Sequence, residues 1–163
     1  FPIVNPRTVA RRSSFVYVLH FGEDARVPPA EAPQLPQYKA QHIARGYLWA
    51  VSKVSVVDGH ERGRISFGSD TLGCECSFVP RAEAEAEDAG YLVTILYDAV
   101  TQSSSFVVYD AEAMAPDPLC AVPLPSRVPF GFHALWVGKE ELLQQMALGG
   151  QREPLHNTPT SRM

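Results

Sequence analysis

The stretch YLVTILYDAVTQSSSFVVYDAE, Tyr91 to Glu112, decides the fold class of this chain. Its two ends, YLVTILYD (Tyr91–Asp98) and SFVVYDAE (Ser105–Glu112), are rich in β-branched and aromatic residues, which is typical of strands. The polar link AVTQSS between them suits a hairpin, with the serine run Ser103–Ser105 in its loop. The pattern therefore predicts an antiparallel pair of strands.

Similar short strands flank this hairpin on both sides. They are predicted at SFVYVLHF (14–21), GYLWAVSKVSVVDG (46–59), GRISFGS (63–69), CSFVP (76–80) and LCAVPLP (119–125). Prolines place the last of these at the edge of a sheet or end it early. The only convincing helix is GKEELLQQMALGG (138–150), which two glycines end. We expect an all-β sandwich, barrel or part of a propeller, and no internal repeat is visible.

Three segments are predicted to lie between or beyond these elements. The proline-rich residues 22–39 indicate a loop or insertion. The acidic run RAEAEAEDAG (81–90) is expected to be a solvated loop or a short frayed helix rather than an acidic binding site. The polar tail QREPLHNTPTSRM (151–163) is expected to be disordered.

Composition and charge narrow the class of protein. The chain has 163 residues, of which 45% are hydrophobic and 20% charged, enough for one globular domain with a real core. A net charge of -4 argues against nucleic acid as a partner. Three cysteines, an odd number, favour a reducing, intracellular compartment. No signal peptide and no apolar run near the ~18 residues of a membrane span is visible, but the chain begins at Phe1, which leaves targeting undetermined.

His133 is the histidine with the most unusual surroundings, within RVPFGFHALWV (127–137). Taken alone, a single histidine among aromatic residues is more often a core or surface residue than a metal ligand. No two histidines of the chain are two or four residues apart, and HExxH and CxxC are absent, so no self-contained metal site is predicted. The serine-hydrolase, dinucleotide and P-loop motifs are absent too.

Glu75 is the second candidate, because it is a carboxylate within the apolar stretch LGCECSFV. On a strand, Cys74 and Cys76 share one face and Glu75 points to the other. The two cysteines could bind a soft metal, but packing as small apolar side chains is the favoured interpretation. If Glu75 is buried, it needs a hydrogen-bond donor, and an imidazole N–H is one candidate.

Several motifs, taken together, resemble the carotenoid cleavage oxygenases, the family that also includes the retinoid isomerase of the retinal pigment epithelium. The resemblance is carried by ECSFVPRAEAEAEDAGYLVTILYD (75–98), SFVVYDAEAM (105–114) and VPLPSRVPFGFHALWV (122–137), with FPIVNPR at the start. It spans residues 1–137 and is densest over 75–137. The family pattern Gly-Glu-Pro is altered, since Cys74 and Cys76 replace its glycine and proline.

The resemblance implies a fold, a cofactor and two site residues. Members are seven-bladed β-propellers that hold one non-haem Fe(II) through four histidines from different blades. The last of these ligands corresponds to His133, and Glu75 matches a glutamate that hydrogen-bonds such an imidazole. Phe130, Phe132 and Trp136 would line the apolar passage for substrate or pack the blade, and packing is favoured. No other histidine of the chain lies in a ligand motif.

The resemblance predicts the C-terminal blades of a propeller over residues 1–137, followed by a short helix and polar tail over 138–163. The implied activity is cleavage of a polyene C=C bond of a lipophilic carotenoid or apocarotenoid with O2, giving carbonyl products. A related hypothesis is isomerisation or ester chemistry on a retinoid-like substrate instead of cleavage. The alternative is a truncated, catalytically inactive propeller fragment or an interaction module lacking iron, and the isolated chain is itself expected to be inactive. Peripheral membrane contact and a plastid location are compatible with such a substrate.

Overall fold

The computed structural model describes residues 2–21, 48–68, 70–129 and 133–149. These residues form nine strands, a short 3-10 turn at Pro6–Thr8 and one α-helix, α1 (Lys139–Gly149). The strands are β1 (Pro2–Ile3), β2 (Phe15–Phe21), β3 (Leu48–Ser55), β4 (Glu61–Ser66), β5 (Thr71–Gly73), β6 (Ser77–Pro80), β7 (Gly90–Asp98), β8 (Ser103–Asp110) and β9 (Cys120–Pro123).

The strands form two antiparallel meanders. The first runs β1-β2-β3-β4, each strand pairing with the next. In the second, β5 and β6 both pair with β7, and β8 and β9 follow in order. Within the described residues the ladder between the meanders is a single residue pair, Leu48 opposite Gly73. The described strands therefore form one nine-stranded sheet, in which the two meanders share a single residue pair.

One apolar core lies across the two meanders. Its largest fully buried side chains come from β2, β3, β4 and β7, namely Tyr17, Val51, Ile65 and Leu92. Gly73 and Gly90 are needed for this close packing. A Cβ atom on Gly73 would lie 2.5 Å from a ring carbon of Phe67, and one on Gly90 would lie 2.4 Å from Phe78, distances that real Cβ atoms do not show.

Most predicted elements are confirmed. The β7–β8 hairpin is present, β9 is the last strand of its sheet, and α1 covers the predicted helix. The serine run was expected in the hairpin loop, and that is wrong: Ser103 pairs with Asp98, so Ser103–Ser105 begin β8. The loop needs only residues 99–102, because the left-handed backbone of Gln102 (φ 56°) closes the turn.

The acidic run has a different role from the predicted one. It forms no helix, and Glu87 and Asp88 are not simply solvated. The Glu87 carboxylate accepts hydrogen bonds from the backbone N–H groups of Ser14 and Phe15, at 2.7 to 3.1 Å. Asp88 lies 2.6 Å from the Lys53 ammonium, whose side chain is only 5% exposed. This loop therefore ties the second meander to the first.

Some predictions lie outside the described residues. These concern the proline-rich loop 22–39, the tail 151–163, His42, His156, Phe130 and Phe132. In the part of the chain that the structure describes, no helix is both long and apolar enough to cross a bilayer.

Candidate metal-ligand site

A β-bulge precedes β6 and sets the direction of Glu75. Gly73 pairs with Leu96, and Ser77 pairs with Val93. Between these two pairs, β7 has two residues, whereas the opposite strand has three, Cys74 to Cys76. The extra residue must leave the ladder, and bulges of this kind redirect a side chain. None of the three residues Cys74 to Cys76 is of a type that favours turns, so the bulge was not predicted.

The bulge directs the Glu75 carboxylate towards His133. One carboxylate oxygen, Oε2, lies 3.2 Å from Nδ1 of the His133 ring. The same oxygen accepts the backbone N–H of Ala134 at 2.8 Å. The Glu75 side chain is 13% exposed, so it has the donors that a nearly buried carboxylate requires. Two residues 58 positions apart are thus brought into direct contact.

The contact with Glu75 determines what the His133 ring can do. A neutral ring with its proton on Nδ1, facing the carboxylate, has its lone pair on Nε2. Carboxylates in proteins fix metal-binding histidines in this tautomer. The His133 side chain is 63% exposed, so the ring lies at the surface of the described chain. In its chemistry and in its contact with Glu75, His133 fits a divalent metal as one ligand.

The described residues do not supply a whole ligand set. They contain no group of three or more histidine, cysteine or acidic side chains that could hold a metal. His20 has its Nε2 2.8 Å from the hydroxyl of Ser52, and His60 lies beside Asp58. Among the described residues, His133 is thus the candidate ligand that the sequence indicated, and it has no second candidate ligand grouped with it.

The neighbouring cysteines and Trp136 have distinct surroundings. Cys76 is 2% exposed, and burial raises the pKa of its thiol to about 12, so it remains an uncharged packing group. Cys74 is half-buried, and neither thiol is in a disulfide. Trp136 is 47% exposed and lines a surface pocket with Leu135 and with Glu141 of α1.

The comparison with protein families identifies the class. A family model described as retinal pigment epithelial membrane protein matches residues 1–138. That stretch is most of the chain, so the chain belongs to this family, the carotenoid cleavage oxygenases, and the predicted membership is confirmed.

Individual relatives give the same assignment. Carotenoid 9,10(9',10')-cleavage dioxygenase 1 of Phaseolus vulgaris is 32% identical over 154 residues, which cover 91% of this chain and 26% of that protein. The Arabidopsis thaliana protein of that name is 44% identical over 89 residues, covering 55% of this chain and 16% of the relative. The chain thus spans about a quarter or less of the length of these relatives.

Solved structures agree with the fold. A variant of the Synechocystis apocarotenoid oxygenase superposes with a TM-score of 0.64 and 26% identity, over 84% of this chain and 25% of that one. A cobalt-substituted form of the same oxygenase matches with the same values. The predicted all-β class, as part of a seven-bladed β-propeller, is confirmed.

Proposed function

We propose that this chain is the C-terminal part of a non-haem Fe(II) oxygenase that cleaves a C=C bond of a carotenoid or apocarotenoid. The single observation that carries the proposal is the contact of Glu75 with His133 Nδ1 at 3.2 Å, within a chain of this family. A carboxylate that accepts the Nδ1 proton is the usual partner of a metal-bound imidazole. His133 would be one iron ligand, and the others would lie outside the described residues.

Each residue of the site has a definite task in this proposal. His133 would present Nε2 to the metal as a neutral donor. Glu75 would hold the proton on Nδ1, fix the plane of the ring and make the imidazole a stronger donor. Because Glu75 also accepts the Ala134 N–H at 2.8 Å, the ring and its backbone are held to the same oxygen. Bound Fe(II) would supply the activation of O2 for insertion across the polyene double bond.

The substrate class is supported by the relatives. Their names specify carotenoid cleavage, and the structural neighbour is an apocarotenoid oxygenase. We therefore propose a lipophilic polyene and O2 as substrates and two carbonyl compounds as products. Two further Arabidopsis thaliana relatives carry the word chloroplastic in their names, which supports a plastid location.

The test uses the full polypeptide that the transcript encodes, purified and loaded with Fe(II) without oxygen. Iron content and carotenoid cleavage products would be measured for the parent protein, His133→Ala, Glu75→Gln and His60→Ala. We expect stoichiometric iron and cleavage products in the parent. His133→Ala should lose both, and Glu75→Gln should bind iron about 10–100-fold more weakly.

His60→Ala is the matched control, because His60 is 76% exposed and lies beside Asp58 in the β3–β4 hairpin. It should retain the iron and activity of the parent. Stoichiometric iron in His133→Ala would refute the assignment of that ligand. A parent protein that takes up no iron would favour the alternative, a catalytically inactive propeller or interaction module.

A further inference from the structure

We propose that Thr94 is a positioning residue for the metal-ligand site, and that it acts by holding the bulge from which Glu75 reaches His133. The inference rests on the proposed function for its meaning in catalysis. Its structural content, that Thr94 determines where the Glu75 carboxylate lies, can be tested without iron.

The hydroxyl group of Thr94 contacts the bulge directly. Thr94 Oγ1 lies 3.0 Å from the carbonyl oxygen of Cys74 and 3.4 Å from that of Glu75. It has one proton to donate, so the two carbonyls share it as a three-centre hydrogen bond. Thr94 is 3% exposed, and it is one of the two β7 residues that lie opposite the bulge. The hydroxyl thus replaces ladder contacts that the extra residue disrupts.

The rest of the bulge is anchored on both sides of Glu75. On one side, the Cys74 N–H donates to the carbonyl of Ile95 at 3.0 Å. On the other, the Cys76 side chain is buried in the core. Glu75 is therefore the residue that leaves the ladder, and the Thr94 hydroxyl holds the carbonyl of Cys74, which belongs to the peptide that leads into Glu75, at 3.0 Å. Without that donor, the peptide between Cys74 and Glu75 can rotate.

The contact of Glu75 with the ring is sensitive to such a rotation. Its length of 3.2 Å is at the long end of the range for a hydrogen bond. A displacement of a few tenths of an ångström would break it. A further contact between these segments, from the Ser77 hydroxyl to the Ala134 carbonyl, is 3.4 Å long and therefore weak. Thr94 is thus the buried group on which the alignment of Glu75 and His133 depends.

The experiment compares three variants of the full polypeptide. Thr94→Val keeps the shape of the side chain and removes the hydroxyl, whereas Thr94→Ser keeps the hydroxyl. Tyr17→Phe is the control, because the Tyr17 hydroxyl makes a buried hydrogen bond of the same kind, 2.9 Å to the carbonyl of Ala111. The first readout is hydrogen exchange of the Ala134 amide, followed by NMR after selective 15N-alanine labelling. The second is the rate at which a chelator extracts Fe(II).

We expect Thr94→Val to speed exchange of the Ala134 amide by about fivefold, because its bond to Glu75 weakens. Iron extraction should be about tenfold faster, and Thr94→Ser should restore both rates. Ala134 exchange in Thr94→Val that equals that in Tyr17→Phe would overturn the proposal, whether or not iron is bound. If the parent protein holds no iron but Ala134 exchange still responds, the proposed function fails and the positioning by Thr94 stands.

Discussion

At the scale of the residue, one carboxylate oxygen organises the candidate site. Oε2 of Glu75 lies within hydrogen-bond distance of both the His133 ring and the Ala134 N–H. The ring and the backbone next to it are therefore held by the same oxygen, and this reduces the conformations open to the ring. A site that is held in this way before the metal arrives loses less entropy on binding it.

Asp110 provides a residue-scale prediction about pH. Its Oδ1 accepts the N–H groups of Ala113 and Glu112, and Arg81 lies 3.1 Å from Oδ2. These contacts, the Ala113 N–H first among them, hold the pKa of Asp110 below its usual value. A lowered pKa in the folded state means stability that is present above the unfolded-state value of ~3.9 and is lost as the pH falls through the folded-state value.

We therefore expect Asp110→Asn to be less stable than the parent by about 1 kcal/mol near neutral pH, a modest value because the carboxylate is partly exposed. The difference should shrink as the pH falls below ~4. Urea unfolding of the full polypeptide at a series of pH values measures it, with the exposed Asp117→Asn as the control. A difference that stays constant down to a pH of about 3 would contradict this explanation.

Sequence reasoning reached some of these residues and not others. Glu75 and His133 could be paired because an acid in an apolar stretch needs a donor, and the family motifs supplied the histidine. The partners of Glu87 and Asp88 could not be found in that way. They lie 73 and 35 residues away, and an acidic run looks the same in sequence whether its carboxylates are solvated or bonded.

At the scale of the element, strands with long β-branched and aromatic runs were predictable and irregularities were not. The β7–β8 hairpin follows from its composition and its polar link. The bulge before β6 does not, because its cause is a register difference between two strands that both pair with β7. The alternation of small apolar and polar residues in CECS (74–77) is typical of an uninterrupted strand. Only the pairing of β5 and β6 with β7 shows the additional residue.

The junction between the two meanders provides an element-scale prediction. Gly73 lies where a Cβ would be 2.5 Å from Phe67 and 3.1 Å from the backbone carbonyl of Leu48. Gly73→Ala should therefore destabilise the full polypeptide by about 1–3 kcal/mol through overpacking. Urea unfolding would measure the change.

Gly138→Ala is the matched control, because a Cβ there would lie at an ordinary 3.5 Å from a carboxylate oxygen of Glu141. It should change stability much less. Equal midpoints for the two variants would show that the junction can adjust to a methyl group.

At the scale of the whole molecule, the described chain exposes a sheet edge and apolar side chains of kinds that independently folded domains usually bury. All four residues of β9 are exposed, and β9 is an edge strand. Leu135 is 85% exposed and Met146 of α1 is 66% exposed. An uncovered edge and apolar side chains favour association between copies.

We predict that residues 1–163, expressed alone, bind no stoichiometric iron and cleave no carotenoid. The described residues offer a single histidine suited to the metal, and one imidazole does not retain Fe(II). Iron analysis after desalting, with chromatography of carotenoid products, tests this directly. Stoichiometric iron in this chain would mean that residues outside the described ranges complete the site.

The hydrogen bonds of Glu87 also have a consequence for the order of folding. They join segments 72 and 73 residues apart in the chain, whereas the β7–β8 hairpin forms across four loop residues. Contacts between distant segments require the closure of a long loop, which costs more conformational entropy than closing a hairpin. We therefore expect the hairpin to be formed in the folding transition state and the Glu87 contacts to form after it.

Glu87→Ala should then speed unfolding and leave the refolding rate unchanged, whereas Val107→Ala, in the hairpin core, should slow refolding. Stopped-flow measurements of the folding and unfolding rates of both variants test this. Slower refolding of Glu87→Ala would show that the Glu87 contacts form before the transition state. In this order, the start of β2 binds the loop before β7 last during folding and separates from it first during unfolding.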